Sequence, residues 1–316
     1  MKGAGGWLLS LILLVTACSA PAVVQPECER YVSDLTFIAQ APRPPGSAHH
    51  QAVQDLCAQR FEEAGYTVER QAFATGVNVV GRLEGKTRPD EIFIISAHYD
   101  SISDCNGADD DGSGVAAVLE TSRVLAGEQH ARTLVVACWD DEESGMRGSR
   151  AYAQQARQQN ANILSLLVYD MIGYTSDQPN SQQLPSGAER AAPALTELVK
   201  HSNLRGNFIA LLYDERSGAI ANDLLVALQI AKVPALPLEV DPTGALPPGV
   251  LGGDHASFWQ AGYPAMMFND TAYLRYPGYH CESGGDDIER LNHDFATGII
   301  SATVLATRQT LNPSIK

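Results

Sequence analysis

An α/β fold, a single domain whose mainly parallel central sheet is flanked by helices, is what this sequence predicts. Three observations predict it. Ile92 to Ile95, Thr133 to Trp139 and Ile163 to Tyr169 are apolar runs of strand length, and apolar runs without polar alternation mark strands buried on both faces. Each is followed by acidic or imidazole side chains: His98 and Asp100, then Asp140 to Glu143, then Asp170. Helix-patterned segments separate the runs, the βαβ arrangement of parallel sheets. Open sheets of this kind bind ligands beyond the C-terminal ends of their strands.

Composition bounds the rest. The chain has 316 residues, 45% of them hydrophobic, enough for one large core, and no compositional break marks a second domain. A net charge of −15 argues against a nucleic-acid partner, because phosphate neutralisation needs clustered Lys and Arg. At the start, Lys2 precedes the apolar run Trp7 to Val15, too short to span a bilayer. Leu14-Val15-Thr16-Ala17-Cys18 resembles the lipobox of bacterial lipoproteins. The expected division is a signal peptide over 1–17, a tether over 18–26 that begins with a lipidated Cys18, and one domain over 27–316. Ser19 fits retention at the outer membrane, facing the periplasm or the cell surface; an ordinary secretory signal is the alternative. A monomer is the default expectation.

The elements follow in order. Arg43-Pro44-Pro45-Gly46-Ser47 is a turn leading to a helix cap at Ser47, and Ala52, Val53, Leu56, Cys57 and Phe61 form a helical stripe ending at Gly65. Tyr66 to Phe73 and Val77 to Leu83 alternate as strands of a sheet edge. After the run that delivers His98, Asn106-Gly107-Ala108-Asp109-Asp110-Asp111-Gly112-Ser113-Gly114 is a Gly-rich turn into a helix carrying Val115, Val118, Leu119, Ser122 and Leu125. A polar helix to Gln159 joins the second and third runs. Pro193 starts another helix, Phe208 to Leu212 and Ala235 to Val240 are strands, and a helix around Asp223 to Ile230 lies between them. Asp254 to Phe258 opens a short helix and Ala265 to Phe268 is a strand. Asn269 to Gly285 is a long loop carrying His280, and Ile288, Leu291, Phe295, Ile299, Ala302 and Leu305 mark a closing helix from Asp287.

His98, Asp100, Asp109, Glu142, Glu143, Asp170 and His280 form a mixed imidazole and carboxylate set, which suits zinc or another borderline divalent cation better than calcium. One histidine and one carboxylate per ion, with a shared carboxylate, make a two-metal site with ions ~3.5–4 Å apart. Three ligand carboxylates balance three of the four positive charges of two dications, leaving one for a hydroxide. Without metal the carboxylates would repel one another and take up protons.

The set resembles the exported bacterial zinc aminopeptidases of the leucyl aminopeptidase type, relatives of glutamate carboxypeptidase and glutaminyl cyclase. The likeness runs from about Arg43 to the closing helix. It is carried by His98-Tyr99-Asp100, Gly107-Ala108-Asp109-Asp110, Glu142-Glu143 with Gly145-Met146-Arg147-Gly148-Ser149, Asp170-Met171-Ile172-Gly173, Asp254-His255-Ala256-Ser257-Phe258 and Tyr279-His280. The resemblance implies the α/β/α sandwich of zinc peptidases and phosphorylase/hydrolase-like folds, a peptide substrate and two Zn²⁺ per chain. It also implies that His98 and His280 each bind one ion, that Asp109 bridges them, and that Glu143 and Asp170 each complete one shell. Asp100 would orient His98, Glu142 would be the general base that takes a proton from the attacking water, and a cis peptide would join Asp109 to Asp110.

The remaining candidates read as follows. His255 competes with His280 as the last ligand, and the resemblance favours His280, because the family's last ligand follows the loop after the short strand. Asp254 is expected to be a hydrogen-bonding partner near the site, and Asp110, Asp111, Asp140 and Asp141 are expected to be capping or surface acids. His49, His50, His130, His201 and His293 match nothing and are expected at the surface. The chain departs from the family it resembles in having no tyrosine just before Asp254 as an oxyanion donor, which leaves carbonyl stabilisation to the metals or to Tyr273, Tyr276 or Tyr279. Met171, Phe268 and Tyr279 are candidates for an apolar pocket. Export makes the cysteines candidates for disulfides: Cys28 with Cys57, and Cys105 with Cys281, since the latter two flank proposed ligands, with Cys138 a buried free thiol. A glutaminyl cyclase-like acyltransferase with one zinc and an inactive binding protein on the peptidase fold are the competing functions.

Overall fold

The computed structural model describes residues 24–244 and 249–313; the expected signal peptide and Cys18 lie outside the described residues. One eight-stranded sheet organises the molecule. Its strands are β1 (Thr67–Ala72), β2 (Val77–Leu83), β3 (Arg88–His98), β4 (Arg132–Trp139), β5 (Asn162–Tyr169), β6 (Ile209–Asp214), β7 (Ala235–Val240) and β8 (Ala265–Asn269), in the order β1-β2-β4-β3-β5-β8-β6-β7. The helices are α1 (Cys28–Ile38), α2 (Ala48–Ala64), α3 (Gly114–Ala126), α4 (Arg147–Gln158), α5 (Ala188–Ala191), α6 (Pro193–His201), α7 (Gly218–Ile230), α8 (His255–Gln260) and α9 (His293–Leu311). Among the described residues no helix is long and apolar enough to cross a membrane.

The predicted parallel pairing holds where it matters for the site: β4, β3, β5 and β8 run parallel to one another. The flanks are antiparallel, β1 and β2 forming a hairpin that adds to β4, and β6 running against β8 before β7 follows it in parallel. Side chains of a strand alternate between faces, and the central strands obey this on both sides. Phe93, Ile95, Leu134, Val136 and Leu167 join the core under α1, α2, α3, α7 and α9, while Ile92, Ile94, Val135, Ala137 and Leu166 join the one under α4 and α8. This two-sided burial explains why the runs read as continuously apolar.

Ser47 caps α2 as expected, its hydroxyl accepting from His50 N at 3.1 Å, and Gly65 closes the helix at φ 93°. α3 lies against the sheet with α1 and α9 packed over it, and every residue from Gly114 to Ser122 is buried. The sequence reading assigns no element to α1. Its stripe of Tyr31, Leu35 and Ile38 is short and becomes evident only where it meets α3. The closing helix starts at His293 rather than Asp287, because the Asn292 side chain accepts from Phe295 N at 3.0 Å and residues Ile288–Arg290 form a separate 3₁₀ turn.

Several expectations are corrected. Cys105 and Cys281 form the disulfide proposed for them, but Cys28 and Cys57 are not bonded to each other. Cys57 lies on the inner face of α2 against Cys138, whose thiol pKa is pushed up by burial and then by that neighbour. His50 is buried, stacked on Tyr99 and 2.7 Å from Asp140 Oδ1, and buried His130 contacts the Leu125 carbonyl, so neither is a surface residue. Asp140 and Asp141 are buried as well; Asp140 also accepts from Val77 N at 2.8 Å and so joins β2 to the turn after β4.

Phe61 is fully buried where α2 meets the sheet, and its ring lies 3.2 Å from the position a Cβ would take on Gly81 of β2. Phe61→Ala should lower stability by about 3–5 kcal/mol, through lost burial and the cavity left behind. Urea denaturation of the metal-free protein checks this.

Candidate metal centre

Strand register builds the site. Ser96 of β3 pairs with Val168 of β5, so His98 and Asp170, each two residues on, emerge side by side at the strand ends. His98 is also level with Trp139, and the turn after Trp139 presents Glu142 and Glu143. The turn Ala108–Ser113, irregular at Asp110 and Asp111, brings Asp110 to the same place. His280 arrives from the loop after β8, in the left-handed region at φ 50°.

Asp110 is the centre of the arrangement. Its Oδ1 lies 3.2 Å from His98 Nε2 and its Oδ2 lies 3.2 Å from His280 Nε2. Glu143 Oε2 is 3.4 Å from His280 Nε2. Two groups of donor atoms result, His98/Asp110/Asp170 and Asp110/Glu143/His280, each with its atoms within 4.8 Å of one another and with Asp110 in common. Asp100 stands behind: its Oδ1 is 3.5 Å from His98 Nδ1, and its two oxygens accept from Glu142 N at 3.0 Å and Glu143 N at 3.2 Å.

The electrostatics call for cations. Burial raises the pKa of Asp170 to about 8, with Asp110, Asp254 and Glu143 adding to it against His98. Glu142 and Glu143 are also raised, first by burial. Asp110 alone goes the other way: burial opposes its ionisation, but contacts from His280 and His98 outweigh burial and hold it below the usual carboxylate range. Those contacts with Asp110, then Glu143, lift His280 to about 10. Glu143 Oε1 and both oxygens of fully buried Asp254 have no hydrogen-bond partner among the described residues, a costly state for buried polar atoms. Imidazole nitrogens and carboxylate oxygens converging in a buried pocket fit a pair of zinc-like ions.

The structure brings together His98, Glu142, Glu143, Asp170, His280 and, behind them, Asp100. It does not bring Asp109, expected to bridge. Asp109 turns back, accepting from Gly173 N at 2.8 Å and Tyr174 N at 3.1 Å, and Asp110 takes the place between the imidazoles. The cis peptide is likewise one residue later, between Asp110 and Asp111. Gly173 is required there, since a Cβ would come within 2.9 Å of Asp109 Oδ1. Asp111 is not a surface acid either: it accepts from His98 N at 3.2 Å and from Gly114 N and Met171 N at 3.1 Å. Three adjacent aspartates thus point three ways, and only one of them faces the histidines.

Other candidates are also resolved. His255 is buried with Nε2 2.8 Å from the Val250 carbonyl, outside both donor groups. Asp254 lies close enough to raise the pKa of Glu142 and Asp170, yet it makes none of the hydrogen bonds expected of it. Tyr276 donates to Asp286 and is occupied, whereas Tyr279 stacks on His280 and lines the cavity. Phe268 is core, stacked on Tyr169, while Met171 lines the cavity. That cavity, about 780 Å³, opens from the donor cluster along Leu212, Leu238, Val240 and Met267. Sequence reasoning missed Asp286 and Arg43, which hold the aspartate turn; their only signals were Gly284-Gly285-Asp286-Asp287 after the histidine loop and Arg43-Pro44-Pro45 at the start of the likeness.

Fold and site together define an α/β protein with two groups of candidate metal donors, joined by a common carboxylate, at the ends of its parallel strands. The model of peptidase family M28 matches residues 78–246, over half of the chain, and the chain belongs to that family. It is 29% identical over 266 residues to a protein of Pyrenophora tritici-repentis described as "Probable zinc metalloprotease", covering 76% of this chain and 55% of that one. The chain thus spans about half the length of the curated relatives it matches. Two solved structures share the fold. The Legionella pneumophila LapA aminopeptidase has a TM-score of 0.69 at 18% identity, covering 92% of this chain and 73% of that one. Porphyromonas gingivalis glutaminyl cyclase has a TM-score of 0.64 at 16% identity, covering 90% and 99%.

Substitution separates the two aspartates. Asp110→Asn should weaken zinc binding beyond the ~10–100-fold typical of losing an outer partner, while Asp109→Asn should stay within that range. Competition with a chromophoric chelator measures both, and equal losses would contradict the assignment.

Proposed function

We propose that this protein is an exported, lipid-anchored zinc aminopeptidase that removes N-terminal residues from peptides with two ions per chain. The observation that carries the proposal is Asp110 between two imidazoles, each with a further carboxylate beside it. His98, Asp110 and Asp170 would hold one ion, and Asp110, Glu143 and His280 the other. When bound, such ions polarise a scissile carbonyl and lower the pKa of an attacking water. The membership of family M28 supports a metallopeptidase; the lipid anchor and outer-membrane location rest on Leu14 to Cys18 alone.

The chain's own residues do the rest. Glu142 lines the cavity with a carboxyl whose pKa is raised by burial, suited to taking a proton from water and passing it to the leaving amine. Asp100 accepts from the Glu142 and Glu143 amides and lies 3.5 Å from Nδ1 of His98, on the side of the ring away from the Nε2 that faces Asp110, where a carboxylate would orient the imidazole. The apolar wall of Met171, Leu212, Leu238 and Met267 excludes water and receives an uncharged side chain. Tyr279, stacked on His280, is the tyrosine best placed to meet the carbonyl oxygen.

Activity on amino-acyl chromogenic substrates should vanish on chelation and return with Zn²⁺ or Co²⁺. Glu142→Gln should keep its metal and lose about 10²–10⁴-fold in kcat; near-normal turnover would refute the base assignment. A single tightly held zinc together with cyclisation of N-terminal Gln would replace this reading with the cyclase one. A zinc-loaded protein that cleaves nothing in a broad peptide library would leave a binding protein.

A further inference from the structure

The turn that carries Asp110 is gripped by two buried charges that both lie outside the donor cluster. Arg43 is fully buried, and its guanidinium donates only to backbone carbonyls: Nε to Tyr99 at 2.9 Å, Nη1 to Asn106 at 2.5 Å, and Nη2 to Gly107 at 2.8 Å and Asp110 at 3.3 Å. Its own backbone is pinned to Ser101, donating to Oγ at 3.0 Å and accepting from Ser101 N at 3.2 Å. Asp286, also fully buried, accepts from Asp109 N at 2.9 Å and Asp110 N at 3.0 Å, with Tyr276 Oη donating at 2.9 Å. The N–H of Asp110 is therefore held by a carboxylate and its carbonyl by a guanidinium.

We infer that Arg43 and Asp286 are positioning residues, a clamp of opposite charges on the Asp110 backbone that aims its carboxylate between His98 and His280 and so sets the affinity of the centre for metal. This rests on Asp110 being the shared ligand. A guanidinium present only for an ion pair would take a carboxylate in its fork. Here it spends its donors on four carbonyls of one segment, the segment that begins beside Asp100 and ends at Asp110. A buried charge without a direct partner is costly, and Asp286 is the foremost charge that offsets the burial of Arg43. The fit is close: Gly107 adopts φ 59°, and a Cβ there would collide with the Asp110 carbonyl and lie 3.0 Å from the guanidinium. The clamp also reaches the other imidazole, because Asp286 N donates to Sγ of Cys281, the neighbour of His280, which is itself tied to Cys105.

The test compares wild type, Arg43→Lys, Asp286→Asn and the double variant. Zinc affinity is read by chelator competition, stoichiometry by native mass spectrometry, and Tm on metal-free protein. Each single substitution should weaken zinc binding about 10–100-fold. The double variant should lose less than the product, because both residues act on one backbone unit. Variants whose metal-free Tm falls while zinc affinity stays at the wild-type value would overturn the inference and leave a role in folding alone. Asp286→Asn keeps the side-chain shape but cannot accept from both amides, so it decides the matter if Arg43→Lys fails to fold. Wild type that holds no zinc would overturn the functional reading itself, an outcome recognisable before any variant is made.

Discussion

Like charges crowd one edge of the sheet: Asp110, Glu142, Glu143, Asp170 and Asp254 share a small, largely buried volume. Burial there disfavours the charged form of every carboxyl, and four of the five have raised pKa values. The exception is Asp110, kept ionised by the imidazoles on its two sides. Much of the surrounding structure can be understood as holding that carboxylate in place against the repulsion of its neighbours.

Two rows of acids share the work. The front row faces the cavity. The back row, Asp100, Asp109, Asp111 and Asp286, accepts backbone N–H groups from the segments that carry the front row. Buried carboxylates that accept amide hydrogens position loops without competing for a cation, which explains why so acidic a sequence can fold around such a site. The scaffold beneath is stiff for its own reasons. Parallel strands packed on both faces leave no freedom of register, so His98 and Asp170 are neighbours by construction. His280, on a long loop, lacks that support and is tied down by the Cys105–Cys281 bond instead.

The sheet's central strands, the helices capped at Ser47 and begun at Pro193, and the residues at the strand tips were all legible in the sequence, because burial on both faces and local capping leave local patterns. α1 was not, since its three-residue stripe gains meaning only against α3. Nor was the burial of His50, Asp140 and Asp141, which depends on β2 meeting the turn after β4. The Cys28–Cys57 pairing failed for a related reason: which face of α2 turns inward decides the partner of Cys57, and that face turns toward Cys138.

Residue order alone determined that histidines and carboxylates would meet at strand ends, since strand length and side-chain alternation are properties of short segments. Which of Asp109, Asp110 and Asp111 would face the histidines lay beyond it. Three identical side chains in a row carry no local distinction, and the choice falls to distant partners: the amides of Gly173 and Tyr174 claim Asp109, those of His98, Gly114 and Met171 claim Asp111, and Arg43 and Asp286 hold the backbone of Asp110. Those partners are brought to the turn by chain closure across the whole domain, which is why only the tertiary structure could decide it.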